Sequence, residues 1–422
     1  MRILLVGAGG FIGRHLLRAL HAEGHQLFAT SRSGQGAELP GVRWLPLELV
    51  KLSNQPEHFN WPDGIDLLIN ASGVLSADAH HLSEVQDRGV RALFDLAARN
   101  GARILQLSAL GAGEQPDVPF LASKAAADDY LLSLQAPAVV LRPSLVLGEG
   151  GASSGWLCRL SPWPLIPLLD TQARAQPLHV DDLVAAVLGL LRQWPERPCI
   201  VPLVGPETMT LPQLIDRLRA AQGWHPARYV QVPAVVGGLG ARLGDRLGWR
   251  ALNCQTLTLA QRDNLASPDA MKTICGCAAA PLASRLIGWP RREQSVALTL
   301  RPLLLAMLVL IWLGTALVCL GPGYDWGLRI MAEIGVRGWQ AAAAVIAGAL
   351  ADAALGVGLL LRRWRRHALR AQLALMLGYM LIISLWLPHY WFDPFGAVAK
   401  NIVLLVATLW LLWTEPVPEK RR

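Results

Sequence analysis

The last third of the sequence constrains the fold most strongly, because it contains four apolar runs that approach the length of a membrane-spanning helix. The runs cover residues 303–320, 339–361, 371–387 and 395–413. A helix needs ~20 residues to cross the hydrocarbon core, and a spanning segment must satisfy its own backbone polar groups. The sequence therefore predicts an all-α bundle of four transmembrane helices over residues 296–422.

Basic residues flank these runs and predict their orientation. Three arginines shortly precede or begin the first run, five more lie between residues 362 and 370, and residues 420–422 are Lys-Arg-Arg. Because Lys and Arg concentrate in cytoplasmic loops, we expect a multi-pass protein of the inner cell membrane with a cytoplasmic amino-terminal domain and carboxyl terminus. The net charge of +8 is then explained by basic residues that flank a lipid bilayer. Nucleic acid is not an expected partner.

Two charged residues, Asp352 and Lys400, interrupt the apolar runs. Ionisable groups inside a membrane are costly and are therefore functional candidates. Lys400 lies roughly 8 Å below the outer end of its run, whereas Asp352 lies near mid-depth, so the two are not expected to pair. We expect Lys400 to extend toward Asp393 or lipid headgroups. The sequence leaves three roles open for Asp352: a bond to a neighbouring helix, a protonated state, or contact with a ligand such as a quinone.

Two groups of potential metal ligands are interpreted as structural. Cys275 and Cys277 have no second pair at metal-ligand spacing, so no metal site is predicted. His179, Asp181 and Asp182 precede apolar residues with helical spacing, which is typical of a capped helix start with acids near its positive end.

At the other end of the chain, a short apolar strand at 3–6 runs directly into a glycine-rich turn and then into a helix. Gly7 permits the tight turn, Gly10 lets the backbone approach a pyrophosphate, and Gly13 allows close helix packing. Phe11 and Ile12 complete the turn, where helix amides favour a phosphate. This unit predicts a dinucleotide-binding α/β domain with a Rossmann-type, doubly wound parallel sheet.

The second strand predicts which dinucleotide is preferred. It covers residues 26–30 and is followed by Arg32, where a carboxylate would instead bond the ribose 2′-hydroxyl of NAD. A cation at this position favours a 2′-phosphate, so NADP(H) is expected over NAD(H). Arg14 is an optional second phosphate partner. The alternative is that Arg32 is simply an exposed loop residue.

Two further strands supply the remaining candidate residues of the cofactor site. Residues 66–70 run into Ala71, Ser72 and Gly73, whose small side chains would let a cofactor lie over the sheet edge. Residues 104–107 form another predicted strand, which ends at Ser108.

Residues 1 to about 220 resemble the short-chain dehydrogenase/reductase superfamily, in its extended and atypical branch. The resemblance is carried by GAGGFIG, DLLINASG, ILQLSALGAG, the Lys124 segment, LRPSLVLGEGG and LHVDDLVAAV. It is strongest to members similar to the 39-kilodalton accessory subunit of respiratory complex I, which keep a nucleotide site without ordinary turnover. The resemblance implies an NAD(P)-binding domain over residues 1–295, with a small substrate subdomain within about 150–295.

One departure from this superfamily affects the predicted chemistry. Its active members carry a proton-donating tyrosine four residues before the lysine, but here Phe120 precedes Lys124. A phenyl ring has no exchangeable proton, and Tyr130 lies six residues beyond the lysine. By resemblance, Lys124 would bond the nicotinamide ribose, and Arg142 would lie in the turn after the sixth strand, near the nicotinamide. Ser108 would either polarise a carbonyl or bond local backbone.

The membrane half resembles the DoxX-like family of four-helix membrane proteins, through HYWFDPFGAVAKN at 389–401 and through the helix that carries Asp352. Two functions stay open for the whole chain. One is a membrane-anchored oxidoreductase with weak or non-standard activity. The other is a non-catalytic nucleotide-binding assembly or scaffold factor, with a membrane protein as partner.

One apolar stripe has no assigned role in either function. Val235, Leu239, Leu243 and Leu247 recur every fourth residue beside several charges. The stripe would either lie on the bilayer surface or cover the substrate subdomain.

Overall fold

The structure is a computed structural model that describes residues 1–76, 78–247, 254–393, 396 and 398–415. The chain divides into two compact units, Met1–Val296 and Ala297–Arg422. Three sequence predictions lie outside the described residues: the start of the fourth apolar run at Phe395, the basic segment 420–422 and the side chain of Leu247.

The first unit is built on thirteen described strands, most of them in one parallel sheet. The strands are β1 Arg2–Val6, β2 Gln26–Ser31, β3 Val42–Pro46, β4 Leu67–Asn70, β5 Arg103–Leu107, β6 Ala138–Pro143, β7 Val146–Leu147, β8 Leu165–Leu168, β9 Arg174–Ala175, β10 Leu178–His179, β11 Cys199–Leu203, β12 Met209–Thr210 and β13 Arg228–Gln231. Seven of them form a sheet in the order β3-β2-β1-β4-β5-β6-β11, and every neighbouring pair is parallel. The predicted Rossmann-type sheet is confirmed.

Helices cover both faces of this sheet. The helices of the first unit are α1 Phe11–Ala22, α2 Leu49–Asn54, α3 Ala79–Ser83, α4 Gly89–Arg99, α5 Pro119–Ser133, α6 Ala152–Leu160, α7 Val180–Arg192, α8 Leu211–Ala221, α9 Ala234–Leu247, α10 Cys254–Ala260, α11 Asp269–Cys275 and α12 Leu282–Arg285. Alternate residues of β1 point to opposite faces: Ile3 and Leu5 pack with α1 and α7, whereas Leu4 and Val6 pack with α4 and α5. Burial on both faces explains why the central strands are continuous apolar runs.

A smaller core lies in the second half of this unit. Leu157 of α6, Ile166 of β8 and Ile215 of α8 are buried together with Leu282 of α12. This separate core is where the sequence predicts the substrate subdomain.

The second unit is helical and contains α13 Arg292–Leu320, which starts in the first unit, α14 Tyr324–Glu333, α15 Trp339–Leu360, α16 Arg365–Trp386 and α17 Lys400–Thr414. In the described part, α13, α15 and α16 are long and apolar enough to cross a membrane, whereas α17 has only 15 residues. At ~1.5 Å per residue α17 is shorter than the ~30 Å hydrocarbon core. Among the described residues, three of the four predicted runs therefore contain helices long enough to cross a membrane, and the fourth contains the shorter apolar helix α17.

Ion pairs join one end of this helical unit. Glu415, just after α17, bonds Arg301 near the start of α13 at 2.5 Å and Arg365 at the start of α16 at 3.5 Å. The two basic segments that flank the apolar runs therefore lie at the same end of the unit, as alternating helix directions require.

Candidate functional site

The glycine-rich turn has the backbone geometry that its sequence predicts. Gly7 has a φ of +77°, and a Cβ there would lie 2.8 Å from the Ser72 amide nitrogen. A Cβ at Gly13 would clash with the Gly7 carbonyl oxygen. Gly10 is exposed and precedes α1, whose amino end no side chain caps. The first-turn amides of α1 are therefore available to a phosphate.

The loop after β4 is fixed against this turn by side-chain hydrogen bonds. Asn70 donates to Gln106 Oε1 at 2.7 Å and accepts from both the amide and the hydroxyl of Ser72. The small residues Ala71, Ser72 and Gly73 thus hold one conformation at the carboxyl edge of the sheet, where parallel α/β folds bind ligands.

The two arginines predicted near the phosphates have different environments. Arg32 is exposed directly after β2, which is the neighbour of β1 in the sheet. Arg14 instead donates to the Gly150 carbonyl at 2.7 Å and lies over the Phe11 ring. Arg14 therefore holds the loop that follows β7, a contact that the sequence did not predict.

Lys124 is buried on α5 and donates to two backbone carbonyls, Ser72 at 3.1 Å and Leu107 at 3.0 Å. Burial lowers the pKa of the Lys124 ammonium to about 8, while nearby Asp128 acts in the opposite direction. An ammonium has three N–H groups, so one remains for a ribose hydroxyl at the sheet edge. The geometry fits the ribose-binding role that the superfamily resemblance implies.

Comparison with known proteins agrees with this fold and turn. The NAD dependent epimerase/dehydratase family matches residues 3–198, and the DoxX-like family matches residues 309–409. The chain joins an epimerase/dehydratase-type NAD-binding domain to a DoxX-like domain. WbmG of Bordetella bronchiseptica, solved in complex with NAD, shares the fold with a TM-score of 0.51 at 16% identity, over 67% of this chain and 89% of that one.

Two curated relatives match the NAD-binding domain. A ceramide reductase of Caulobacter vibrioides is 29% identical over 194 residues, 45% of this chain and 61% of that protein. The mitochondrial NADH dehydrogenase (ubiquinone) 1 alpha subcomplex subunit 9 of Dictyostelium discoideum is 24% identical over 225 residues, 50% of this chain and 61% of that protein. The predicted resemblance to the complex I accessory subunit is confirmed, although the chain spans only about six-tenths of each relative's length.

A buried ion pair in the NAD-binding domain was missed by sequence reasoning. Asp128 accepts hydrogen bonds at Oδ2 from the Ser108 hydroxyl at 2.6 Å and from Arg142 Nε at 3.0 Å. Arg142 lies within β6 and not in the turn after it, which corrects the predicted position. Burial raises the pKa of the Asp128 carboxyl, opposed by Ser108, Arg142 and Lys124. The sequence signal that could have indicated Asp128 was its spacing of four residues from Lys124, which places both side chains on one face of α5.

Ser108 and Arg142 are therefore held by Asp128 in this structure. The Ser108 hydroxyl bonds Asp128 and not local backbone, and its role in polarising a carbonyl stays a prediction. Ser108, Asp128 and Arg142 form one polar cluster.

Phe120 lies in the first turn of α5, one helical turn before Lys124. Its backbone amide donates to Gln255 Oε1 at 3.3 Å, and Gln255 Nε2 donates to the Ser76 carbonyl at 2.7 Å. Gln255 of helix α10 thus links the first turn of α5 to the loop that follows β4. Tyr130 donates to Asp95 at 2.7 Å on α4 and does not replace it.

Gln86 is a second residue that sequence reasoning missed. It is buried in a π-helical turn, Glu84–Arg88, and its two amide atoms have no hydrogen-bond partner within the described chain. Gln86 Oε1 and Lys124 Nζ lie 3.6 and 3.7 Å from the position that a Cβ of Gly73 would occupy. Gln86 and Lys124 therefore converge on Gly73 at the predicted cofactor site.

The predicted helix start at His179 is confirmed as structural. His179 caps α7 by accepting from the Asp181 amide, and the buried Asp182 pairs with Arg285. Among the described residues, no cluster of three or more His, Cys, Asp or Glu could hold a metal ion.

In the DoxX-like domain, Asp352 is buried on α15 at 6% exposure. Its Oδ1 atom has no hydrogen-bond partner among the described residues. The Tyr379 hydroxyl lies 3.4 Å from the Cβ position of Gly348, one helical turn from Asp352. Lys400 is the exposed first residue of α17.

Proposed function

We propose that this protein is a membrane-anchored NADP(H)-binding protein with weak or no tyrosine-dependent reductase activity. The observation that carries the proposal is Phe120, which stands one turn before the buried Lys124 where a proton-donating phenol is needed. Lys124, Gly10 and the amino end of α1 retain the geometry for binding. Dinucleotide binding can therefore persist where reduction through this position cannot.

If hydride transfer occurs, we propose that the acceptor is a carbonyl compound delivered from the membrane, with another group as proton donor. Similarity to a ceramide reductase and the DoxX-like domain both favour a lipid-phase acceptor.

The basic segments flanking the spans favour an inner-membrane location with the NAD-binding domain in the cytoplasm. The orphaned Asp352 favours contact with a membrane-soluble ligand such as a quinone.

The second candidate function is a non-catalytic nucleotide-binding assembly or scaffold factor of a membrane complex. Similarity to the complex I accessory subunit favours it, together with the Ser108–Asp128–Arg142 cluster, which engages the serine away from a substrate. Consumption of bound NADPH by the purified chain would contradict this alternative.

The first test is a calorimetric titration of the full chain in detergent with NADPH and NADH. We expect tighter NADPH binding, and we expect Arg32→Ala to weaken it by roughly tenfold or more, since a charged hydrogen bond contributes ~1.5–3 kcal/mol. NADH binding should not change. Arg43→Ala, which removes an exposed arginine within β3, is the matched control. Equal affinities for the two dinucleotides in the unmodified chain would overturn the NADP(H) preference.

A further inference from the structure

Exposed large hydrophobic side chains are distributed unevenly over the first unit. Among its described residues, none lies between residue 2 and residue 162, and all beyond Met1 lie in the second half. They are Trp163, Leu165, Val230, Val235, Val236, Leu239, Leu243, Leu265 and Ile287. Clusters of exposed large apolar side chains are typical of interaction sites.

Four of these residues lie on α9. This helix buries small residues and exposes its large apolar ones. Its buried positions are Gly237, Ala241 and Gly244, at helical spacing. Its large side chains face outward, with Val235 75%, Leu239 61% and Leu243 51% exposed. A surface helix normally buries its large apolar residues.

Close packing explains why small residues face inward on α9. A Cβ at Gly237 would clash with the Leu169 side chain, which follows β8. The small-residue face thus brings the helix backbone close to the subdomain. The large apolar face is left without a partner in the described part of the first unit.

Two exposed arginines, Arg242 and Arg246, share the outward side of α9 with Leu239 and Leu243. At 3.6 residues per turn, Arg242 and Arg246 project on the same side as Leu239. An apolar stripe bordered by arginines is typical of a helix that lies at the interface of an anionic bilayer.

We propose that α9 lies on the bilayer surface, with Val235, Leu239 and Leu243 at the boundary between headgroups and acyl chains. The arginines then contact anionic headgroups. A lipid surface fits better than a second copy, because α13, which is apolar and long enough to cross a membrane, begins at Arg292 within the first unit and so tethers that unit to a bilayer. Helix α10, which follows α9 along the chain, carries Gln255, which accepts a hydrogen bond from the Phe120 amide, so the lipid-facing segment is followed in the chain by a contact with α5.

Hydrogen–deuterium exchange of the full chain tests this proposal. The chain is compared in nanodiscs of phosphatidylcholine with phosphatidylglycerol and in lipid-free amphipol. We expect amides of α9 to exchange at least ~10-fold more slowly in the nanodiscs, while those of α8 do not change. Equal exchange of α9 in both media would overturn the proposal. So would slow exchange in amphipol that depends on protein concentration, since that outcome indicates a second copy.

Two variants separate a lipid contact from a folding effect. Leu239→Glu together with Leu243→Glu should abolish the slow exchange in nanodiscs, because both side chains are exposed and only lipid would be lost. Ala220→Glu, at an exposed position of α8, should keep it. NADPH affinity in the same samples reports on the proposed function separately, so either proposal can fail without the other. Retained slow exchange in the double variant would contradict bilayer contact.

Discussion

The Ser108 hydroxyl donates a 2.6 Å hydrogen bond to Asp128 Oδ2, and both side chains are buried. The bond joins the end of β5 to the middle of α5 and leaves the serine engaged inside the domain. We expect this contact to contribute to the stability of a domain that also lacks the phenol at Phe120.

We predict that Ser108→Ala destabilises the protein without weakening NADPH binding. Removing a hydrogen bond to a buried carboxylate costs roughly 1.5–3 kcal/mol, which should lower the Tm of the full chain in detergent by several degrees. Ser133→Ala, at an exposed serine of α5, is the control and should change the Tm little. Weaker NADPH binding with an unchanged Tm would show instead that Ser108 contacts the cofactor.

We predict that Gly13→Ala is far more destabilising than Gly9→Ala. A Cβ at Gly13 would clash with the Gly7 carbonyl, whereas a Cβ at Gly9 has open space. The clash involves two backbone segments, so it cannot be relieved by a side-chain rotation, and we expect a loss of ~1–3 kcal/mol for Gly13→Ala. Thermal unfolding of the two variants measures the difference. Similar Tm values would contradict the close packing of this turn.

We predict that Lys124 makes stability rise with pH between about 8 and 10.5. The pKa of the folded-state ammonium is about 8 against its ordinary 10.5, so in this window the unfolded chain binds a proton that the folded chain does not. The free energy of unfolding should then gain about 3 kcal/mol across the window. Lys124→Met should lose this gain, and Lys272→Met, at an exposed lysine, should keep it. Parallel pH profiles for wild type and Lys124→Met would reject the shift.

We predict that Phe120→Tyr raises NADPH oxidation by roughly 10²-fold or more with a long-chain ketone as acceptor, because general acid catalysis contributes 10²–10⁴-fold. The new phenol would stand one turn before Lys124 on α5. Phe120→Leu controls for the loss of the ring and should show no gain. An inactive Phe120→Tyr variant that still binds NADPH would indicate that the substrate pocket is lost or repurposed.

We predict that Asp352→Leu raises the Tm of the full chain in detergent. A buried carboxyl with an orphaned oxygen is destabilising in apolar surroundings, and apolar replacement of buried charged groups gains ~1–4 kcal/mol where they lack compensation. Thr408→Val, at another buried polar residue whose hydroxyl does have a partner, should lower the Tm. A lower Tm for Asp352→Leu would mean that the carboxyl has a bound partner, as the ligand proposal requires.

The turn at Gly7 and the membrane character of α13, α15 and α16 could be predicted from the sequence, because both depend on local requirements. A tight turn needs glycine at fixed spacing, and a membrane span needs an uninterrupted apolar run. The described helix α17 covers Lys400–Thr414, and an apolar run alone does not fix where a helix begins.

The sequence by itself therefore determined the fold class, the dinucleotide turn and the absence of a phenol before Lys124, since each depends on residue type at short spacing. Only the tertiary structure decided that Asp128 engages Ser108 and Arg142, that Gln86 and Lys124 converge on Gly73, and that Gln255 bonds the Phe120 amide. These contacts join residues far apart in the chain. Packing of the sheet and its helices brings them together, and no periodic pattern along the sequence encodes which distant polar side chains will meet.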